Sequence, residues 1–89
     1  MRRVYAVYKG YDKDLDKRLE VAVGKDSNGT GYAFLGCLRD INWIFRDNIR
    51  AKTAVSKLKR FKGVIGIEVY DSNDDLIIEW KRPRRKLKK

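Results

Sequence analysis

Arg39, Arg46, Arg50 and Lys57 stand 7, 4 and 7 residues apart, a spacing that puts four cations on one stripe of an α-helix. At 1.5 Å per residue such a row runs about 27 Å. Fixed cations at these intervals suit a polyanionic backbone, so the row is a candidate phosphate-binding rod, with Arg60 continuing it. A mixed-sign face would be the ordinary solvated alternative; here Arg dominates. A second basic feature closes the chain. Lys81, Arg82, Arg84, Arg85, Lys86, Lys88 and Lys89 put seven positive charges into residues 81–89 with no acid among them. The formal net charge is +10, yet residues 1–80 hold 15 basic against 12 acidic side chains, a net of +3. Charges this dense cannot pack, and Pro83 has no amide hydrogen to extend a sheet. The sequence therefore predicts a single domain over 1–80 and a disordered basic arm over 81–89.

Other chemistries find few tools. There is no histidine, and the single cysteine, Cys37, falls on the apolar side of the expected helix as a small buried hydrophobe. No nucleophile and base pair up, so the chain reads as a non-enzyme that needs no cofactor. Asp12, Asp14 and Asp16 have the alternate spacing that opens a calcium loop. Lys17 and Val23 occupy the positions that would require Gly and Glu, so a solvated turn is favoured and no metal is expected. The glycines from Gly24 to Gly31 lack the Lys-Ser/Thr of a phosphate loop. One cysteine makes no intramolecular disulfide, and neither a leader-like run nor an 18-residue apolar stretch is present. A cytoplasmic protein without membrane insertion is the expectation.

The elements that must position these residues follow from periodicity. Arg3 to Lys9 alternate as a strand, and Tyr11 to Arg18 read as a loop or single helical turn. Leu19, Val21 and Val23, then Tyr32, Phe34 and Leu35, read as strands two and three around the turn at Asn28-Gly29. From Cys37 to Lys62 the period becomes 3.6, predicting one long helix with Asp47-Asn48 as the place for a kink or division. Val64 to Tyr70 and Leu76 to Trp80 complete a hairpin. The expected fold is α+β: about five antiparallel strands in the order β-ββ-α-ββ on one long amphipathic helix. Charge is segregated along it, with 37–62 at +6 and 63–80 at −5.

Thr30-Gly-Tyr-Ala-Phe-Leu-Gly-Cys37 partly resembles the RNP1 pattern of RNA-recognition motifs, and Val4-Tyr5-Ala6-Val7 resembles the partner RNP2 strand. The resemblance implies a single-strand RNA binder that stacks bases on strand aromatics. The spacing departs from that family, because about ten residues between strands one and two leave little room for its first helix.

Nucleic acid is the expected partner, with DNA favoured over RNA on the strength of the helical row; exposure of Tyr5, Tyr8, Tyr32 or Phe34 on a sheet face would reverse that preference. The alternative is a small regulator or inhibitor, of the kind mobile genomes carry, binding an acidic protein surface. It requires an exposed apolar patch, for which Trp43, Phe61 and Trp80 are the candidates, whereas nucleic-acid binding requires those aromatics ringed by cations. Electrostatic membrane association ranks last, since the arm offers only Leu87 as an apolar anchor.

Overall fold

A computed structural model describes residues 1–33 and 37–83. Its elements are β1 (Arg2–Lys9), α1 (Lys13–Val23), β2 (Gly29–Ala33), β3 (Leu38–Phe45), α2 (Asn48–Leu58), β4 (Val64–Tyr70) and β5 (Leu76–Lys81). The strands form one antiparallel sheet in the order β2-β3-β1-β4-β5. Each helix carries the chain past one intervening strand, α1 past β3 and α2 past β1, which is the split βαβ arrangement doubled. The α+β class and the five antiparallel strands agree with the sequence reading. The element order and the single long helix do not.

Residues 38–45 form a strand because Ile41, Trp43 and Phe45 alternate into the core, while Asp40, Asn42 and Ile44 alternate outward. The same apolar residues also fit a 3.6 period, an ambiguity inherent to short apolar runs. The division does fall at Asp47-Asn48: the Asp47 carboxylate accepts from the Arg50 amide at 2.8 Å and starts α2 as its N-cap. At the front of the chain, Asp12 caps α1 by accepting from the amides of Asp14 and Leu15. Leu15 and Leu19 lie four apart and are buried, whereas Val21 points into solvent, so the alternation of Leu19, Val21 and Val23 belongs to a helix and not a strand. Gly24 ends α1 at φ +82°, a left-handed conformation that glycine adopts without a Cβ penalty, and its amide donates to the Glu20 carbonyl.

Both helices lie on one face of the sheet. Val4, Ala6 and Tyr8 of β1, Ile41 and Trp43 of β3, and Val64, Ile67 and Val69 of β4 meet Leu15 and Leu19 of α1 and Ala51, Ala54, Val55 and Leu58 of α2. The other face has no layer over it among the described residues. Cys37 is exposed at φ +51° between β2 and β3, not buried on a helix, because the helix that would have buried it starts eleven residues later.

Tyr8 carries a polar group into this layer. Its hydroxyl donates to Asp16 Oδ1 at 2.6 Å and lies 3.0 Å from the Asp12 carbonyl. Burial first, and the Asp16 hydrogen bond second, push its phenol from 10.0 up to about 12. The folded-state value is raised, so the neutral phenol stabilises the fold at every pH below the ordinary value, and that contribution disappears as pH rises from 10.0 to about 12. Urea midpoints measured across that window should fall more steeply for the native chain than for Tyr8→Phe. Parallel slopes would refute the assignment.

Candidate nucleic-acid interface

Arg46 precedes α2, and Arg50 and Lys57 lie two helical turns apart on it, about 10 Å along the axis. Lys25 enters the same region from the loop after α1. Together with Ile44 and Phe45 at the end of β3 they line an open cleft of about 550 Å³, and none of its lining residues is acidic. The Lys25 ammonium donates to the Ile44 carbonyl and sits 5.0 Å above the Phe45 ring, which fixes its stem against the sheet. Arg46, Arg50 and Lys57 are exposed. The nearest carboxylate to Arg50 is that of its own cap, Asp47, at 3.9 Å in solvent, a weak pairing that leaves the guanidinium available.

The rest of the expected row dissolves. Arg39 lies on β3, where Nη2 meets Asp16 Oδ2 at 2.6 Å and Nε meets the same oxygen at 3.0 Å, with the guanidinium 4.3 Å from the Tyr11 ring. The Asp16 hydrogen bond raises its already high pKa, and only 13% of the side chain is exposed, so Arg39 is a structural cation. Arg60 is exposed in the turn after α2, outside the cleft. Lys81 ends β5, 3.7 Å from Glu79, and is exposed. Arg82 belongs to the fold: it donates to the carbonyls of Lys59, Phe61 and Val64 at 2.7 to 2.9 Å and so satisfies groups left open where α2 ends. Lys81 and Arg82, expected in the basic arm, are thus held by β5 and by the end of α2. Arg84, Arg85, Lys86, Lys88 and Lys89 lie outside the described residues.

Lys25 is the cleft residue that sequence reasoning missed. A loop lysine after a helix cap carries no one-dimensional signal, and only the crossover of α1 brings it beside α2. The aromatics also moved. Trp43 is fully buried and donates its indole N–H to the Lys25 carbonyl at 2.9 Å, and Phe61 packs against the core. Trp80 carries Lys59 and Arg82 over its ring, 5.5 and 5.0 Å from its centroid. Trp43 lies in the core and Phe61 and Trp80 pack partly buried against it, so the three do not form the shared exposed patch that the protein-binding alternative requires. Tyr32 pairs with Arg39 across β2 and β3 and so lies on the helix side of the sheet, on its outermost strand. Tyr8 is buried, and Phe34 lies outside the described residues. Of the three that are described, Tyr5 lies on the open face, beside Tyr70. The segment between β1 and β2 does hold a helix, α1, so the spacing there does not depart from an RNA-recognition topology.

Asp12, Asp14 and Asp16 serve as cap, first-turn carboxylate and Arg39 partner, so three side chains with the spacing of a calcium loop point to three different tasks. No helix among the described residues is long and apolar enough to cross a membrane. Comparison with protein-family models, curated proteins and solved structures gives no match.

Proposed function

We propose that the protein is a nucleic-acid-binding module, not an enzyme, that holds backbone phosphates of a single strand in the cleft of Lys25, Arg46, Arg50 and Lys57. The observation that carries this reading is the convergence of four cations from three segments on one cleft without a lining acid. The preference for duplex DNA rested on a continuous 27 Å helical rod, and α2 is only 11 residues long, about 16 Å. Tyr5 and Tyr70 on the open sheet face favour unstacked bases instead. Residues 84–89 add cations whose contribution is independent of sequence.

Fluorescence anisotropy with labelled single-stranded RNA, single-stranded DNA and duplex DNA at two salt concentrations tests it. Single strands should bind more tightly than duplex. The variant Arg46→Gln/Arg50→Gln/Lys57→Gln should lose at least about tenfold in affinity at low salt, and its log K against log salt slope should flatten by about 2, from roughly 0.7 per phosphate contact. An unchanged slope, or no binding of any probe at low salt, overturns the reading.

Binding of a protein surface is the second reading. It is favoured by a groove of about 610 Å³ on the open face, where Leu38 and Ile65 are exposed beside Val7 and Pro83.

A further inference from the structure

We propose that the open face of the sheet carries a guanine-selective base pocket built from Arg3, Tyr5, Glu68 and Tyr70, continuous with the cationic cleft. The proposal rests on the nucleic-acid reading and names the base that reading leaves open. In the strand register Tyr5 stands opposite Glu68, and Arg3 opposite Tyr70, across β1 and β4. All four project away from the helices, because Val4 and Val69 between them are buried beneath the sheet. With Val7 and Asp40 they line a depression of about 470 Å³.

The pocket is built. Tyr5 and Tyr70 meet edge to face, centroids 5.6 Å apart at 83°, so the two rings are held at right angles and can offer a π face to a planar ligand. The Tyr70 hydroxyl donates to Glu68 Oε1 at 2.9 Å, which orients the carboxylate and leaves Oε2 as an acceptor. That hydrogen bond also raises the Tyr70 pKa, so the donor keeps its proton. Arg3 Nε is enclosed and has no hydrogen-bond partner among the described residues. A sealed N–H without an acceptor is costly, which favours a shift of the Arg3 head toward a ligand that supplies one.

A heterocycle fitting these groups must donate on one edge and accept on another. Guanine does both: its N1–H and N2–H₂ lie side by side for a carboxylate, and O6 and N7 lie side by side for a guanidinium. Adenine offers no adjacent donor pair on its pairing edge, and neither pyrimidine pairs an adjacent double donor with an adjacent double acceptor. Arg3 and Glu68 are diagonal neighbours, about 7–8 Å apart at the backbone, and the Tyr5–Tyr70 ring contact lies on the other diagonal, so a purine reaches both heads by lying over the two rings. Asp40 and Asp74 add negative charge at the rim, so a phosphate is repelled while a neutral base is not. The segregation of charge along the chain acquires a purpose: backbone on the basic side, base on the acidic one.

The two sites are joined. A crevice of about 110 Å³ shares Met1 and Ile44 with the cationic cleft and Arg3 and Asp74 with the base pocket. A nucleotide whose phosphate lies against Arg46 therefore has an open route for its base around the end of β1.

Nucleosides carry no phosphate, so they read the pocket alone. Titration of guanosine, adenosine, cytidine and uridine into the isotope-labelled full chain should shift the amides of Tyr5, Glu68 and Tyr70 with guanosine at least about fivefold more tightly than with the others. Glu68→Gln, which turns one acceptor oxygen into a donor, should erase the preference and keep the amide spectrum folded. Arg46→Gln/Arg50→Gln/Lys57→Gln should leave the guanosine response intact. Equal responses to all four nucleosides, or guanosine shifts confined to other surfaces, overturn the pocket, as does a lysine-arginine peptide that shifts these amides when guanosine does not. Guanosine binding without oligonucleotide binding would support the pocket and sink the phosphate cleft. Oligonucleotide binding with no base preference would do the reverse.

Discussion

Trp43→Ala should leave the chain without a cooperative unfolding transition at room temperature. Trp43 is fully buried at the centre of β3 and is the largest buried side chain among the described residues. Truncating a buried aromatic to alanine costs about 3–5 kcal/mol through lost contacts and the cavity left behind. Domains of this size hold about 0.05–0.15 kcal/mol per residue, so the lower end of that range is consumed by one substitution. The indole N–H adds a second loss. It donates to the Lys25 carbonyl, and without it the loop that carries Lys25 into the cleft loses one of its hydrogen bonds to β3. Trp43→Phe keeps most of the volume and should retain a transition with a lower urea midpoint. Circular dichroism against urea separates the two variants; an unchanged midpoint for Trp43→Ala would show that the residue is not in the core.

That tryptophan also shows how the sequence could be misread. Placed on a helix, Trp43 projects towards the cations; placed on a strand, it alternates with Ile41 and Phe45 into the core. Both periods fit residues 37–45, and nothing local decides between them. The tertiary arrangement decides, because β3 must lie between β2 and β1 for both of its edges to be paired. Similarly, Leu15 and Leu19 carry the stripe of α1, but the run of Asp12, Asp14 and Asp16 around them reads locally as a turn, because the cap made by Asp12 and the Arg39 partner of Asp16 are set by the fold. What local pattern did define was β1, the β4–β5 hairpin and the break at Asp47, where alternation, turn residues and a capping carboxylate act within a few positions. Of the candidate cations, Arg50 and Lys57 lie seven apart on α2, so their common face survived a wrong helix start. Arg39 and Arg82 are cations too, and charge alone could not reveal that each is consumed by the fold.

Asp16→Ala should be the more damaging half of a pair whose joint removal is milder. Asp16 accepts from both Nε and Nη2 of Arg39 and from the Tyr8 hydroxyl, and the paired side chains are only 13% and 14% exposed. Deleting the carboxylate strands a guanidinium and a phenol against the sheet, and breaking a buried pair in this way costs about 3–5 kcal/mol. Arg39→Met together with Asp16→Ala removes the stranded charge and should recover part of that loss, with a coupling of about 0.5–3 kcal/mol in a double-mutant cycle read from urea midpoints. Tyr11 gives a second reading of the same site. Its ring lies under the guanidinium, so its chemical shifts should move in Arg39→Met and move again when Asp16 is also removed. The functional consequence separates structure from interface. Folded Arg39→Met should bind single strands with the native salt slope, because its charge is spent on Asp16, whereas Arg46→Gln should not. A flattened slope for Arg39→Met would return Arg39 to the phosphate-binding surface and require the Asp16 pair to open when nucleic acid binds.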